Sequence, residues 1–106
     1  MMKSFERISC LQAQTKMQNE NAVLVDIRDP NAFEAAHVDG ATRLSNENLQ
    51  QFLQQADHDK PLLVMCYHGH SSQQAAQFLA QQGFEQVFSV DGGFEAWRKQ
   101  LPFVGR

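Results

Sequence analysis

The groups able to do covalent chemistry crowd into one stretch, Cys66-Tyr67-His68-Gly69-His70-Ser71-Ser72, which holds one of two cysteines and two of four histidines. The apolar run Leu62 to Met65 precedes it and reads as a short buried strand. Ala75, Phe78, Leu79 and Gln82 follow at helical spacing, with Gly83 placed where a left-handed cap would close the helix. Ser71 with Gln74 has the form of a capping box, so the spacing predicts a helix opening at the loop. A thiol between a strand end and a helix start faces unpaired backbone N–H groups and the positive end of the helix dipole. Both favour negative charge, so they lower a thiol pKa and can hold an anion beside it. That makes Cys66 a candidate nucleophile. The loop amides from Tyr67 to Ser72 are its expected donors, Gly69 lets the backbone curl without a Cβ clash, and Ser71 and Ser72 can add hydroxyls.

The rest of the chain alternates in a way that would position such a loop. Phe5 to Ile8, Ala22 to Asp26, Thr42 to Leu44 and Gln86 to Val90 read as further strands. Ser9 with Gln12 forms a second capping-box pattern, placing Cys10, Ala13 and Met17 on one helical face. Asp29-Pro30 is an N-cap followed by a first-turn proline, predicting a short helix through Ala36. Ser45 precedes a helix carrying Leu49, Phe52, Leu53 and Ala56, and Asp91-Gly92-Gly93 is a tight turn before Phe94, Trp97 and Leu101. Strands alternating with helices imply an α/β fold, a parallel sheet with helices on both faces. Ligands of such sheets bind outside the carboxyl ends of the strands, where Asp26 to Arg28, Cys66 to Ser71 and Asp91 to Gly93 converge.

Length and charge narrow the function. The 106 residues, 42% of them hydrophobic, suit a single domain spanning 1–106 with its own core. A formal charge of −3 with no basic cluster argues against a nucleic-acid partner. No apolar run approaches a membrane span, and the amino-terminal residues lack a signal-peptide core. Two cysteines in such a chain argue for a reducing, cytoplasmic setting.

Two stretches carry a family resemblance. Val25-Asp26-Ile27-Arg28 through His37 to Gly40-Ala41 resembles the amino-terminal signature of rhodanese domains, and Val90-Asp91-Gly92-Gly93-Phe94 to Trp97 resembles the carboxyl-terminal one. Cys66 stands where their catalytic cysteine does, and the likeness spans roughly Glu20 to Pro102. The single-domain length and the loop are most similar to the small bacterial thiosulfate sulfurtransferases of the GlpE type. The resemblance implies a central five-stranded parallel sheet and a sulfur-transfer cycle without metal or organic cofactor. In it Cys66 takes a sulfane sulfur from thiosulfate or a persulfide and passes it to cyanide or a thiol, such as that of a thioredoxin-like protein. Asp26, Arg28 and Gly93 are the expected supporting residues, Asp26 with Arg28 as an ion pair bracing the loop and Gly93 as a turn against it. The same fold also hosts phosphatases, which require an arginine six residues past the cysteine; Ser72 stands there.

One departure shapes the expected substrate preference. Many relatives carry a lysine or arginine in or just after the loop, whereas none occurs from Cys66 to Ala80, and Gln73 stands near where GlpE-type loops have lysine. Imidazole as a side-chain type is mostly neutral at pH 7, so His68 and His70 would supply charge mainly at mildly acidic pH. Weak, millimolar thiosulfate binding is therefore expected. The Cys-x-His-x-His string suits metal ligation poorly and shows no fourth ligand. Cys10, on an apolar face, is expected in the core, and His37 as a structural histidine before a turn. A non-catalytic rhodanese-like binding module and a thiol redox sensor are the competing readings; the first usually lacks the cysteine, and the second wants a resolving cysteine near Cys66.

Overall fold

The computed structural model describes residues 4–106; residues 1–3, part of the segment read as lacking a signal-peptide core, lie outside the described residues. The strands are β1 (Glu6–Ile8), β2 (Val23–Asp26), β3 (Thr42–Arg43), β4 (Leu62–Met65) and β5 (Val87–Val90); β2, β4 and β5 are the largely apolar runs, and β1 and β3 are short and more polar. They form one five-stranded sheet, parallel at every pairing, in the order β1-β5-β4-β2-β3. Every residue of β4 and β5 is buried, as expected of central strands covered on both faces.

The helices are α1 (Cys10–Asn19), α2 (Pro30–Ala35), α3 (Leu49–Gln55), α4 (Ser71–Ala80) and α5 (Gly93–Trp97). Local chemistry starts the first two as the sequence predicts. Ser9 Oγ accepts from the Gln12 N–H at 3.1 Å while the Gln12 side chain accepts from the Ser9 N–H at 2.9 Å, a complete capping box. Asp29 caps α2 by accepting from the Ala32 N–H at 2.9 Å, with Pro30 in the first turn. Helix α3 begins later than Ser45 suggests, because the Ser45 N–H donates to Asn48 Oδ1 at 2.8 Å and makes a turn first.

Helix α4 departs from its predicted form in two ways. The Ser71–Gln74 capping box is absent; His70 occupies the N-cap and offers no side-chain bond, and the Ser72 amide in the first turn, with the Gly69 amide before it, turns toward Cys66. Its buried face is Ser72, Ala76, Leu79 and Ala80, and Phe78 is 45% exposed. Small residues at 72 and 76 seat the helix closely on the sheet and turn Phe78 outward. Gly83 does adopt φ +98°, but it lies beyond the helix end in the connection to β5.

One face of the sheet packs Leu24, Leu63, Met65, Phe88 and Val90 against Ala13 of α1 and Phe94 and Trp97 of α5. The other packs Val25, Leu62, Val64 and Val87 against Leu79 and Ala80 of α4, with Leu49, Phe52 and Leu53 of α3 beside them. The chain leaves β2 toward β3 on one side and leaves β4 toward β5 on the other. Strand order thus reverses between β2 and β4, where a crevice opens at the carboxyl ends. Ile27-Arg28 and the Cys66 loop enter that crevice, with the Asp91–Gly93 turn beyond it.

Candidate active site

Cys66 follows the last residue of β4 and is 2% exposed. Its Sγ accepts N–H bonds from Gly69 at 3.1 Å and Ser72 at 3.3 Å, and lies 3.2 Å from Ser72 Oγ. Burial pushes the thiol pKa up, but the Ser72 and Ser71 hydroxyls and the Ser72 and Gly69 amides together outweigh it, so the thiol lies below its ordinary range. Each donor aims a positive hydrogen at the sulfur and so favours thiolate over thiol.

The loop is held from three sides. The Tyr67 hydroxyl donates to the Asp29 carboxylate, and the Asp29 N–H in turn lies 3.4 Å from that hydroxyl oxygen, tying the loop to the start of α2. This bond lowers the Asp29 pKa, with help from the Ala32 amide, and raises that of Tyr67. From below, the first amides of α5 grip the loop: Phe94 N–H donates to Cys66 O at 2.8 Å and Glu95 N–H to Tyr67 O at 3.1 Å. Gly93, at φ +59°, makes this approach possible, since a Cβ there would collide with the Cys66 carbonyl and lie 2.6 Å from the Tyr67 carbonyl. Gly69, at φ +89°, lies so near the turn that its Cβ would be 2.7 Å from Gly92 N. From within, Gln73 Nε2 donates to Gly69 O at 2.9 Å.

Asp26 and Arg28 form a buried pair, 0% and 3% exposed. Arg28 Nη2 donates to Asp26 Oδ2 and to Ala36 O, each at 2.8 Å, and its Nε donates to both carboxylate oxygens at 3.0 Å. The guanidinium lies 4.2 Å from the Phe94 ring centroid and 5.9 Å from that of Tyr67. Its Nε and Nη2 are thus committed to Asp26 on β2 and to the Ala36 carbonyl at the end of α2, while its guanidinium lies over Phe94 of α5 and Tyr67 of the loop. His68 and His70 are exposed on the outer side of the loop. A cleft of about 590 Å³ lies beside the site rather than over the sulfur, lined by Arg28, Asp29, Arg43, Leu49, Ala75 and Phe78 among others.

The sequence and the fold match known proteins. The rhodanese-like domain family matches residues 9–100. The chain belongs to that family. It superposes on a rhodanese-like domain from Anabaena at TM-score 0.82, 21% identity, covering 94% of this chain and 79% of that one. A rhodanese-related protein from Thermoplasma volcanium gives 0.80 at 23% identity over 96% of this chain and 100% of the other. A protein of unknown function from Rhodopseudomonas palustris, described as a possible tyrosine phosphatase, gives 0.74 at 27% identity, covering 90% and 80%.

Within this rhodanese-like domain the remaining reactive side chains have quieter settings. Cys10 is buried in α1, its Sγ 3.6 Å from Asp91 O, and its thiol pKa is pushed up by burial and then by the Asp91 charge. Both cysteines are free thiols. His37 Nδ1 lies 2.6 Å from Phe33 O, and its ring stacks on Phe33 at 4.1 Å. Among the described residues, no three His, Cys, Asp or Glu side chains group as metal ligands, and no helix is long and apolar enough to cross a membrane.

Sequence reasoning missed two residues of the site. Gln73 reads as a missing lysine, yet it is a brace across the loop. Ser89, on β5, is 0% exposed with Oγ 2.8 Å from Ser72 Oγ. The available signal for Ser89 is its polarity in the run Val87-Phe88-Ser89-Val90; it is invisible as a site residue until β5 is placed beside α4.

Proposed function

We propose that this chain is a sulfurtransferase that works through a persulfide on Cys66. The observation carrying the proposal is the convergence of the Gly69 and Ser72 amides and the Ser72 hydroxyl on one buried sulfur of lowered pKa. The Cys66 thiolate attacks the outer sulfur of thiosulfate or of an organic persulfide. An S–S bond forms at Sγ, the old bond to that sulfur breaks, and its electron pair departs with sulfite or thiolate. The terminal persulfide sulfur carries negative charge, which the helix-start amides are suited to hold. Cyanide, or a thiol such as that of a small thioredoxin-like protein, then takes the outer sulfur and leaves the thiolate restored. Two displacements on one enzyme group give ping-pong kinetics.

Donor charge sets the expected preference. No lysine or arginine lies between Cys66 and Ala80, and Arg28 is paired with Asp26. Dianionic thiosulfate therefore relies on amides, and a monoanionic persulfide donor is favoured. A phosphatase reading has the Rhodopseudomonas relative in its favour. A phosphate cradle uses a bidentate guanidinium on the oxygens, whereas position 72 here is an inward serine whose hydroxyl faces the sulfur.

Intact mass before and after donor, then after cyanide, tests the proposal. The expected result is a gain of about 32 Da, one sulfur on the covalent nucleophile, removed by cyanide and absent from Cys66→Ser. No adduct from thiosulfate or from a persulfide donor overturns it, and turnover of an aryl phosphate without any adduct would establish the phosphatase reading.

A further inference from the structure

We infer that Ser89 is a positioning residue for the nucleophile: acting through Ser72, its hydroxyl keeps a hydrogen-bond donor aimed at Cys66 Sγ. The inference rests on the reading of Cys66 as a reactive thiolate, and it adds a group from the sheet that no loop motif contains.

Three observations carry it. Ser89 and Ser72 are both 0% exposed, so neither hydroxyl can turn to water. Their oxygens are 2.8 Å apart, and Ser72 Oγ is 3.2 Å from the sulfur, which makes a continuous chain from β5 to Cys66. Ser89 is also fixed at its backbone: it pairs with Val64 of β4 on one side and Arg7 of β1 on the other. Ser72, by contrast, sits in the first turn of α4, whose N-cap His70 makes no side-chain bond. The chain thus anchors a donor of the helix start to the rigid middle of the sheet.

The physical role follows from counting hydrogens. A serine hydroxyl has one hydrogen and two acceptor sites. While Cys66 is a thiol, its S–H donates to Ser72 Oγ, and the Ser72 hydrogen is free to point at Ser89. When the sulfur ionises it becomes an acceptor, and so the Ser72 hydrogen swings toward it. The Ser89 hydrogen then fills the vacated acceptor side of Ser72 Oγ. Two aligned hydroxyls polarise one another, and in a dry site each strengthens the next. Without Ser89, the Ser72 hydroxyl has lost the partner that selects this orientation, and can turn back to the helix backbone as serines do. A Ser89 that merely fills space would have no such link to the charge on sulfur.

The test is the pH dependence of Cys66 alkylation by iodoacetamide, followed by peptide-resolved mass spectrometry so that Cys10 is scored separately. It requires no sulfur transfer, so it can fail or succeed independently of the proposed function. Ser89→Ala should move the midpoint upward by about half a pH unit, equivalent to about 0.7 kcal/mol and within the net worth of one hydrogen bond. Ser89→Thr, which keeps the hydroxyl, should move it less. Because Ser89 acts through Ser72, the Ser72→Ala/Ser89→Ala double variant should match Ser72→Ala alone. An unchanged midpoint in Ser89→Ala, or full additivity in the double variant, overturns the inference. If Ser89→Ala fails to fold, the unmodified protein still decides: the Ser89 Cβ resonance should titrate with the Cys66 midpoint and cease to do so in Ser72→Ala. A Ser89 resonance that is silent through that midpoint overturns the inference equally.

Discussion

At the scale of the residue, the two cysteines show how little burial alone says about reactivity. Cys66 and Cys10 are 2% and 3% exposed, yet their pKa values move in opposite directions. Both are desolvated, but Cys66 has hydroxyl and amide donors aimed at its sulfur, whereas Cys10 faces the Asp91 carbonyl and carboxylate charge. Since the thiolate is the reactive form, limiting iodoacetamide near neutral pH should modify Cys66 before Cys10. The Cys66 rate should climb as pH rises through its lowered pKa and then level, while Cys10 still lags; equal labelling of the two peptides would contradict this. Arg28 belongs to the same scale. It leaves no unpaired charge in the core while it holds Asp26, so Arg28→Ala strands a carboxylate with 0% exposure. Breaking a buried pair from one side costs about 3–5 kcal/mol, and urea unfolding should lose at least half of that range. A change below about 1 kcal/mol would show that water or protonation rescues Asp26.

At the scale of the element, the site is a junction of three element ends: the end of β4, the beginning of α4 and the beginning of α5. Gly93 shows how tight that junction is. Gly93→Ala adds a Cβ where the Cys66 and Tyr67 carbonyls lie, at a φ of +59° that alanine disfavours. The expected outcome is a displaced loop, with the alkylation midpoint of Cys66 moved toward that of an ordinary thiol and sulfur loading lost; a wild-type profile would show that α5 yields instead. Outside the hydrogen bonds that hold the loop, the complete capping box of α1 makes a simpler forecast. Ser9→Ala should cost about 1 kcal/mol and lower Tm by about 4–8 °C, with alkylation of Cys66 unchanged. What the sequence made legible follows the same division. Largely apolar runs disclosed β2, β4 and β5, and Ser9–Gln12 and Asp29–Pro30 disclosed two helix starts, because those signals are local. The α4 start was misread for a physical reason: Ser71 and Gln74 fit a capping box, but the first turn gives its Ser72 amide to the sulfur of Cys66, just past the end of β4. Asp26 and Arg28 were legible as partners at a spacing of two residues. Ser89 was not, because its partner Ser72 lies 17 residues away and only the β4–α4–β5 crossover brings them together.

At the scale of the whole molecule, the charge of the chain and the charge of its donor bear on each other. The formal charge is −3, and the Cα radius of gyration is 12.5 Å. At about 0.01 M ionic strength the Debye length is about 30 Å, so an approaching anion feels the entire protein; at about 0.15 M it is about 8 Å, and only groups near the loop are felt. Near the loop, Asp29 is held ionised by Tyr67, and Asp91 is paired with Arg7 at 2.7 Å. Repulsion between this protein and dianionic thiosulfate should therefore be strongest in dilute buffer. The expected result is that kcat/KM for thiosulfate rises several-fold between about 0.01 and 0.15 M salt and then flattens as the long-range term is screened. A monoanionic persulfide donor should show about half that dependence on a logarithmic scale, because the interaction scales with the product of the charges. An enzyme with a lysine or arginine at the mouth behaves oppositely, losing kcat/KM as salt rises. A falling profile here would mean that Arg43, Arg98 or the loop histidines His68 and His70 gather the anion after all, and micromolar KM at low salt would accompany it. A rising profile would assign donor capture to the neutral amides of the α4 start, which bind anions locally and lend no long-range attraction.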